Sequence, residues 1–595
     1  MLEPMPNRVR PLRWRALSAW LVLWMWTLAC AVFAPPPTDA HGTGTATYHV
    51  APGGSDVNPG TQAAPWRTIR RASEQLMPGD TLLIREGVYN EQIIPLRSGT
   101  AERPITYRAF PGEQPIIDGQ NAIYRNIEVV GLGYIVFDGL RVQDPVDEWA
   151  HVERSHHITF TNMHFTNVAI RDRNFQGINF RYSSYNRVLE STLENWGAYL
   201  PDGDRSGNHI RIFGDEQTGG YNLIEGNRFI RGAQGCIMIN GPFNIVRNNV
   251  FDNDWQKGVH VGYFDQNIGN EPPGTVFYAA HNLIEGNTFL RHGLSRFQHG
   301  GVGYEESGVG SIFRRNVVRN ADTTGAIFAA FGDYAWRATH NHWYHNTLVN
   351  NGEAGLECSG TGISGGGEPS TAFHSNVIKN NIIFGNHLTC NGTTDQLSVY
   401  FSVEIANPPD LAPPLYGTII AGNLIENRRA AQCSADLRDG LGDGNCNIYI
   451  PLVNEADVTW FEASFPAHFW GNLEADPAFV AYDPVNERFD LRLLPTSPAI
   501  DAGVPLTVTL SAGSGILIPV EDAWYFHDGY DGMIEPDTIQ IGTERVRILS
   551  IDYVQNTISV DRVITWAQGA PVSLPYAGDG PDIGAFEYDP GARVP

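Results

Sequence analysis

Residues Asn222 to Phe229 read NLIEGNRF, and Asn282 to Phe289 repeat them almost letter for letter as NLIEGNTF. NIVRNNVF (from Asn244) lies between, and SIFRRNVV (from Ser311), NHWYHNTL (from Asn341), NVIKNNII (from Asn376) and TIIAGNLI (from Thr418) follow. Every unit sets an apolar residue three places before an asparagine and another two places after it. The result is the row Asn227, Asn249, Asn287, Asn316, Asn346, Asn381 and Asn423, at intervals of 22, 38, 29, 30, 35 and 42 residues. Short β-branched runs cut by Gly and Asn signal strands, not helices. Intervals that never fall below 22 residues but vary upward describe one compact coil repeated, with loops of different length at its corners. The asparagines are expected to point inward and hydrogen-bond the asparagine one coil away, a structural role that satisfies buried polar groups.

A second strand family runs between these units: QGINFRY (from Gln176), HIRIF (from His209), GCIMIN (from Gly235), GVHVGY (from Gly258), GVGYEE (from Gly301), GAIFAA (from Gly325) and GLECS (from Gly355). Alternation turns Ile210, Ile212, Ile237, Ile239, Val259 and Val261 inward. It leaves an outward row of Asn179, Arg211, Met238, His260, Gly303, Phe328 and Glu357, with Glu305 in the row beside it. Two strand families predict two stacked sheets.

The rest of the chain sets limits. Gly 63, aromatic 11% and charged 18% describe a folded, turn-rich chain rather than a disordered one. A net charge of -25 disfavours nucleic acid and anionic lipid as partners, and an acidic polysaccharide would need local Arg, Lys or bound Ca²⁺ to be held. Lys occurs only at Lys257 and Lys379. Arg8, Arg10, Arg13 and Arg15 precede an apolar run from Ala16 to Ala34, so residues 1–34 read as a signal peptide or signal anchor of an exported protein. The expected location is secreted or cell-surface, extracellular or periplasmic, with membrane contact only through that segment or through a lipid on Cys30. Export permits disulfides: Cys433 and Cys446, enclosing a Gly/Asp-rich loop, are the expected pair, and Cys236 on a strand is the expected buried thiol.

YHVAPGGSDVNPGTQAAPWRTIRRA (Tyr48 to Ala72), PGDTLLIREGVYNE (Pro78 to Glu91) and PITYRAFPGEQPIIDG (Pro104 to Gly119) resemble the N-terminal region of secreted bacterial right-handed parallel β-helix proteins of the pectate-lyase-like superfamily. The resemblance implies an all-β solenoid: cap and first coils over 47–120, with a short helix from Thr68 to Gln75, and the parallel β-helix over 121–430. FWGNLEADPAFV (from Phe469) and FDLRLLPTSPAIDAG (from Phe489) are similar to the closing segment of such proteins, placed over 431–503. The alternating runs TIQIG (from Thr538), RVRILSID (from Arg545) and NTISVDRVITW (from Asn556) read as a small antiparallel β module inserted over 504–581, before a tail at 582–595.

Proteins of this kind mostly act on acidic polysaccharides, many by β-elimination, which implies a polysaccharide lyase on a uronate-containing glycan. That chemistry needs a base for the proton α to the carboxylate and a cation to neutralise the carboxylate. Lys257 and His260 are the candidate bases, Arg211 the candidate neutraliser, and Glu305 shares their groove. Asp202, Asp204, Asp254 and Asp265, on loops beside it, are candidate Ca²⁺ ligands. The polygalacturonase and pectate lyase catalytic motifs are absent, so no role transfers by motif. Two alternatives stay open. One is a glycan-binding or adhesive β-helix using aromatic residues such as Tyr263, Phe264, Trp336 and Trp343. The other is a glycoside hydrolase with paired carboxylates, Asp202/Asp204 or Glu305/Glu306.

Overall fold

The computed structural model describes residues 45–589 apart from 169–175, 200–204, 216, 233–234, 253–256, 263–278, 293–301, 323, 331–337, 353–360, 368–372, 387–396, 400–416, 427–461 and 464–465. The N-terminal segment 1–34, Cys433, Cys446, Cys30, Cys358, Cys390, Glu357, Tyr263, Phe264 and Trp336 lie outside the described residues, as do all four candidate Ca²⁺ aspartates.

Parallel strands stack into three sheets of 14, 13 and 10 strands, one more than the two expected. The extra sheet is hidden inside the repeat. Leu223–Glu225 belongs to the first sheet and Arg228–Gly232 to the second, so NLIEGNRF is two strands around a corner. The corner is Gly226-Asn227, and the residue before each ladder asparagine has positive φ: Gly226, Asn248, Gly286, Arg315, His345, Asn380 and Gly422. A left-handed residue turns the chain within one step, and Gly and Asn adopt that conformation at least cost, which is why GN and NN recur. Ile224 and Phe229 on the two sides of the corner both reach the interior.

All seven ladder asparagines are buried. Each Nδ2 donates to the Oδ1 of the next rung at 2.9–3.1 Å, from Asn227 through Asn423 to an eighth rung, Asn472. A second ladder runs up the other end of the first sheet, with Asn186, Asn222 and Asn244 linked at 2.9 Å or less and Asn341 to Asn376 at 3.2 Å. Its signal is the first letter of each aligned unit, interrupted by Ser311 and Thr418.

Asn316 shows what one rung holds. Its Oδ1 accepts from the backbone N–H and Nδ2 of Asn287, and its Nδ2 donates to Ile284 O and Asn346 Oδ1. Asn316→Ala strands a backbone N–H and a carbonyl in a dry corner, and at ~1–3 kcal/mol per orphaned group it should destabilise the chain by about 3–5 kcal/mol. Equilibrium denaturation measures this, and a loss under about 1 kcal/mol would show that water or slippage replaces the rung.

The ends and outer faces are covered. The helix Ile69–Gln75, capped by Thr68 Oγ1 accepting from Arg71 N–H, lays Ile69 and Ala72 over the first coil. The C-terminal antiparallel sheet of six strands, including Thr538–Ile541, Glu544–Asp552 and Thr557–Trp566, packs Ile518, Ile539, Ile548 and Ile558 against Leu223, Ile245, Leu283 and Ile312 of the first sheet. Phe479, Leu491, Leu493 and Ile583 likewise cover Val317, Val349, Ile382 and Leu424 of the second. Among the described residues no helix is long and apolar enough to cross a membrane.

Candidate active site

With the first two sheets overlaid by C-terminal segments, the outer face of the third sheet is where polar side chains gather. Its inward positions are as expected: Ile210, Ile212, Ile237, Ile239, Val259 and Val261 are all buried in the core. Its outward register differs from the expected one. Strand pairing aligns Glu128, His151, Asn179, Arg211, Met238, His260, Glu305 and Ile327, one per coil. Glu305 thus replaces Gly303 as the direct neighbour of His260, and Ile327 replaces Phe328, which turns inward onto Trp343 with ring centroids 3.6 Å apart. Core packing sets this register. Gly258 and Gly303 share a column against Phe289: a Cβ at Gly258 would meet the Phe289 ring at 2.5 Å, and one at Gly303 would meet Val318 Cγ1 at 2.5 Å and Phe289 Cβ at 3.3 Å, so Gly303, not Gly301, is the counterpart of Gly258.

The corrected register brings three candidates together. Lys257 Nζ lies 2.5 Å from Glu305 Oε2, and His260 Nε2 lies 3.4 Å from Oε1 of the same carboxylate. Glu305 and His260 are buried, while Lys257 keeps partial access to solvent. Burial, with the Lys257 charge adding to it, lowers the His260 pKa to about 4 despite Glu305, so the imidazole is neutral near pH 7. Arg211 stands two coils away beyond Met238, its guanidinium 4.9 Å from the centre of the Phe213 ring.

Two expectations are corrected here. Glu305 and Glu306 are successive residues of one strand and face opposite sides: Glu306 points into the core, where it accepts from Tyr304 Oη and from Gly308 N–H at 2.6 Å, and burial raises its pKa to about 7. They cannot flank one substrate bond. Trp343 is a fully buried core residue, not a loop platform.

A polar cluster on the same face was absent from the expected set. Glu148 Oε2 contacts His151 Nδ1 at 2.7 Å and Arg125 Nε at 2.8 Å, and Glu148 Oε1 accepts from Asn179 Nδ2 at 2.7 Å. Burial lowers the proton affinity of His151, but the hydrogen bond and charge of Glu148 more than offset it, and the net pKa is raised. Asp147 is pushed up to about 6 by burial and by Glu148. The signal lay in EWAHVE (from Glu148), which pairs directly with the Gln176 strand. From Glu128 to Glu305 the row spans six coil steps, about 29 Å at ~4.8 Å per step. Among the described residues no group of three or more His, Cys, Asp or Glu side chains is placed to hold a metal ion.

Residues 48–200 match the family described as Pel9A-like, right handed beta helix region. The chain is 34% identical over 159 residues to the uncharacterized protein YwoF of Bacillus subtilis (strain 168), covering 26% of this chain and 33% of that one. It is 43% identical over 79 residues to pectate lyase PEL9 of Emericella nidulans, covering 13% of this chain and 19% of that one. It therefore spans a third or less of the curated relatives it matches. The solved structure of pectate lyase Pel9A is similar with a TM-score of 0.40 and 15% identity, over 91% of this chain and 96% of that one. Residues 48–200 thus match a Pel9A-like right-handed β-helix region, and they open the stack of parallel strands that the three sheets continue.

Proposed function

We propose that the protein is a polysaccharide lyase that cleaves a uronate-containing glycan by β-elimination at Lys257, His260 and Glu305. The observation that carries this reading is the junction of a lysine, a neutral imidazole and a carboxylate on one face, inside a row long enough for several sugars. Elimination breaks the C–H bond α to the uronate carboxylate, forms the ring double bond with those electrons, and expels the glycosidic oxygen, which takes a proton. His260, neutral at working pH, accepts the first proton. Lys257 turns from Glu305 to the incoming carboxylate, stabilises the charge that builds on it, and donates to the leaving oxygen. Arg211 holds the carboxylate of a sugar further along the row. The arriving carboxylate also raises the proton affinity of the His260 ring and strengthens it as a base. A Ca²⁺ ion, with Asp202, Asp204, Asp254 and Asp265 as its proposed ligands, would supply the same kind of neutralisation.

The test is incubation with polygalacturonate, alginate and glycosaminoglycans, with Ca²⁺ and with chelator, following the absorbance of unsaturated products and, separately, reducing ends. Absorbance supports elimination, reducing ends without it replace the reading by hydrolysis, and glycan retention with neither replaces it by binding. Loss of absorbance with chelator assigns the neutralisation of the reacting carboxylate to Ca²⁺ rather than to Lys257. For a His260 base, kcat/KM should fall as pH drops through about 4, where the ring takes up its proton, and hold level through neutral pH.

A further inference from the structure

Away from the third sheet, an aromatic column climbs the corner before the first sheet. Tyr134, His157, Tyr185, Tyr221, Phe243 and His281 occupy equivalent positions on successive coils, with centroids 4.5–5.2 Å apart and planes within 26° of parallel. All six are half-buried, so the column shows a strip of ring edges to solvent. Where it passes the antiparallel module, it forms one wall of a cavity of about 630 Å³. Tyr221, Phe243 and His281 are the helix side, and Trp524, Tyr553, Asp528 and Asp531 are the module side. Trp524 closes one end over His281 at 4.7 Å. At the other end Tyr185 Oη donates to Asp531 at 2.7 Å.

We propose that this cavity is a second glycan subsite, taking an uncharged oligosaccharide, formed jointly by the β-helix and its C-terminal module. The chemistry of the walls selects the ligand. Pyranose rings carry apolar C–H faces and a rim of hydroxyls; the column offers an apolar wall, and Asp528 and Asp531 offer carboxylate acceptors opposite it. The centroids of Tyr221, Phe243 and His281 are 5.2 and 5.1 Å apart, which gives the wall the length of a short saccharide. A uronate is disfavoured because its carboxylate would face both aspartates. The aspartates alone would attract a cation, but the column turns its ring faces onto its own neighbours and gives a cation no ring face to rest on, whereas a sugar uses both the apolar wall and the acceptors. The subsite stands apart from the Lys257 row and does not depend on the reading given to it.

The experiment titrates the full chain with cellohexaose, xylohexaose and hexagalacturonate, by calorimetry and by tryptophan fluorescence. At least one neutral hexasaccharide should bind with Kd of about 10 µM to 1 mM, and Trp524→Ala should weaken it tenfold or more. Trp524 also touches His281 and Tyr553, so a second variant separates binding from module seating. Leu549 lines the cavity and is 51% exposed, and Leu549→Arg blocks the opening from the surface. It should abolish neutral-sugar binding with the circular dichroism spectrum and melting temperature intact. Absence of neutral-sugar binding, its survival in Leu549→Arg, or displacement of the neutral sugar by hexagalacturonate would each overturn the proposal.

Discussion

Arg314→Ala is expected to lower the unfolding free energy by about 3–5 kcal/mol, because it leaves two carboxylates uncompensated in a buried seam. Arg314 leaves the first sheet and enters the module. Its guanidinium donates to both oxygens of Asp537 at 2.7 and 2.8 Å, to Glu285 at 2.8 Å and to Tyr344 Oη at 3.1 Å, with only 2% of the side chain exposed. Burial alone would raise the Asp537 pKa, but Arg314 brings it down to about 2. The sign of the pH effect follows. A carboxyl whose folded pKa lies below its unfolded value stabilises the fold above the unfolded pKa, near 4, and that contribution fades as pH falls toward 2. In Arg314→Ala the buried Asp537 should take up a proton instead, so the variant should lose most at neutral pH and least in acid. Denaturation at both pH values measures this, with hydrogen exchange locating the loss at the module. An unchanged stability at neutral pH would mean that solvent enters the seam. Arg314→Met combined with Asp537→Leu removes both charges and should recover much of the loss.

That seam was not legible in the sequence, and the reason is separation: Arg314 and Asp537 lie 223 residues apart, and neither sits in a pattern that announces a partner. The ladder was legible for the opposite reason. Every coil must bury the same polar corner, so the same letter returns at Asn227, Asn249, Asn287, Asn316, Asn346, Asn381 and Asn423. The number of sheets was not, because each corner falls inside a unit whose flanking strands of two to five residues are too short to show a period of their own. At the candidate site, alternation alone put His260 and Arg211 on the outer face. It could not put Glu305 beside His260, since the register of parallel strands separated by long loops is decided by how Gly258 and Gly303 fit against Phe289. Inward packing sets which outward side chains meet.

His260→Ala should then reduce kcat on a cleaved polyuronate by about 10²–10⁴-fold with little change in KM, the range expected when a general base is removed and the binding row is kept. The two candidate bases are separated by conservative replacement at the other position. If Lys257 acts as the cation, Lys257→Arg retains a positive donor at the same strand position and should keep activity within about tenfold, while Lys257→Ala loses about 10²-fold or more. If its amine is the base, Lys257→Arg should be as inactive as Lys257→Ala, because a guanidinium holds its proton. Glu305 supplies the third arm. Its carboxylate occupies Lys257 and sits 3.4 Å from His260, where an incoming uronate would have to displace it. Glu305→Gln weakens that competitor and should lower KM for the polyuronate. It also withdraws the Glu305 charge that supports the imidazolium, so the acid limb of kcat/KM should move below its wild-type position near pH 4. A Glu305→Gln variant with an unmoved acid limb would show that His260 is not the group whose protonation stops the reaction, and the proton would then have to be taken by another residue on the same face.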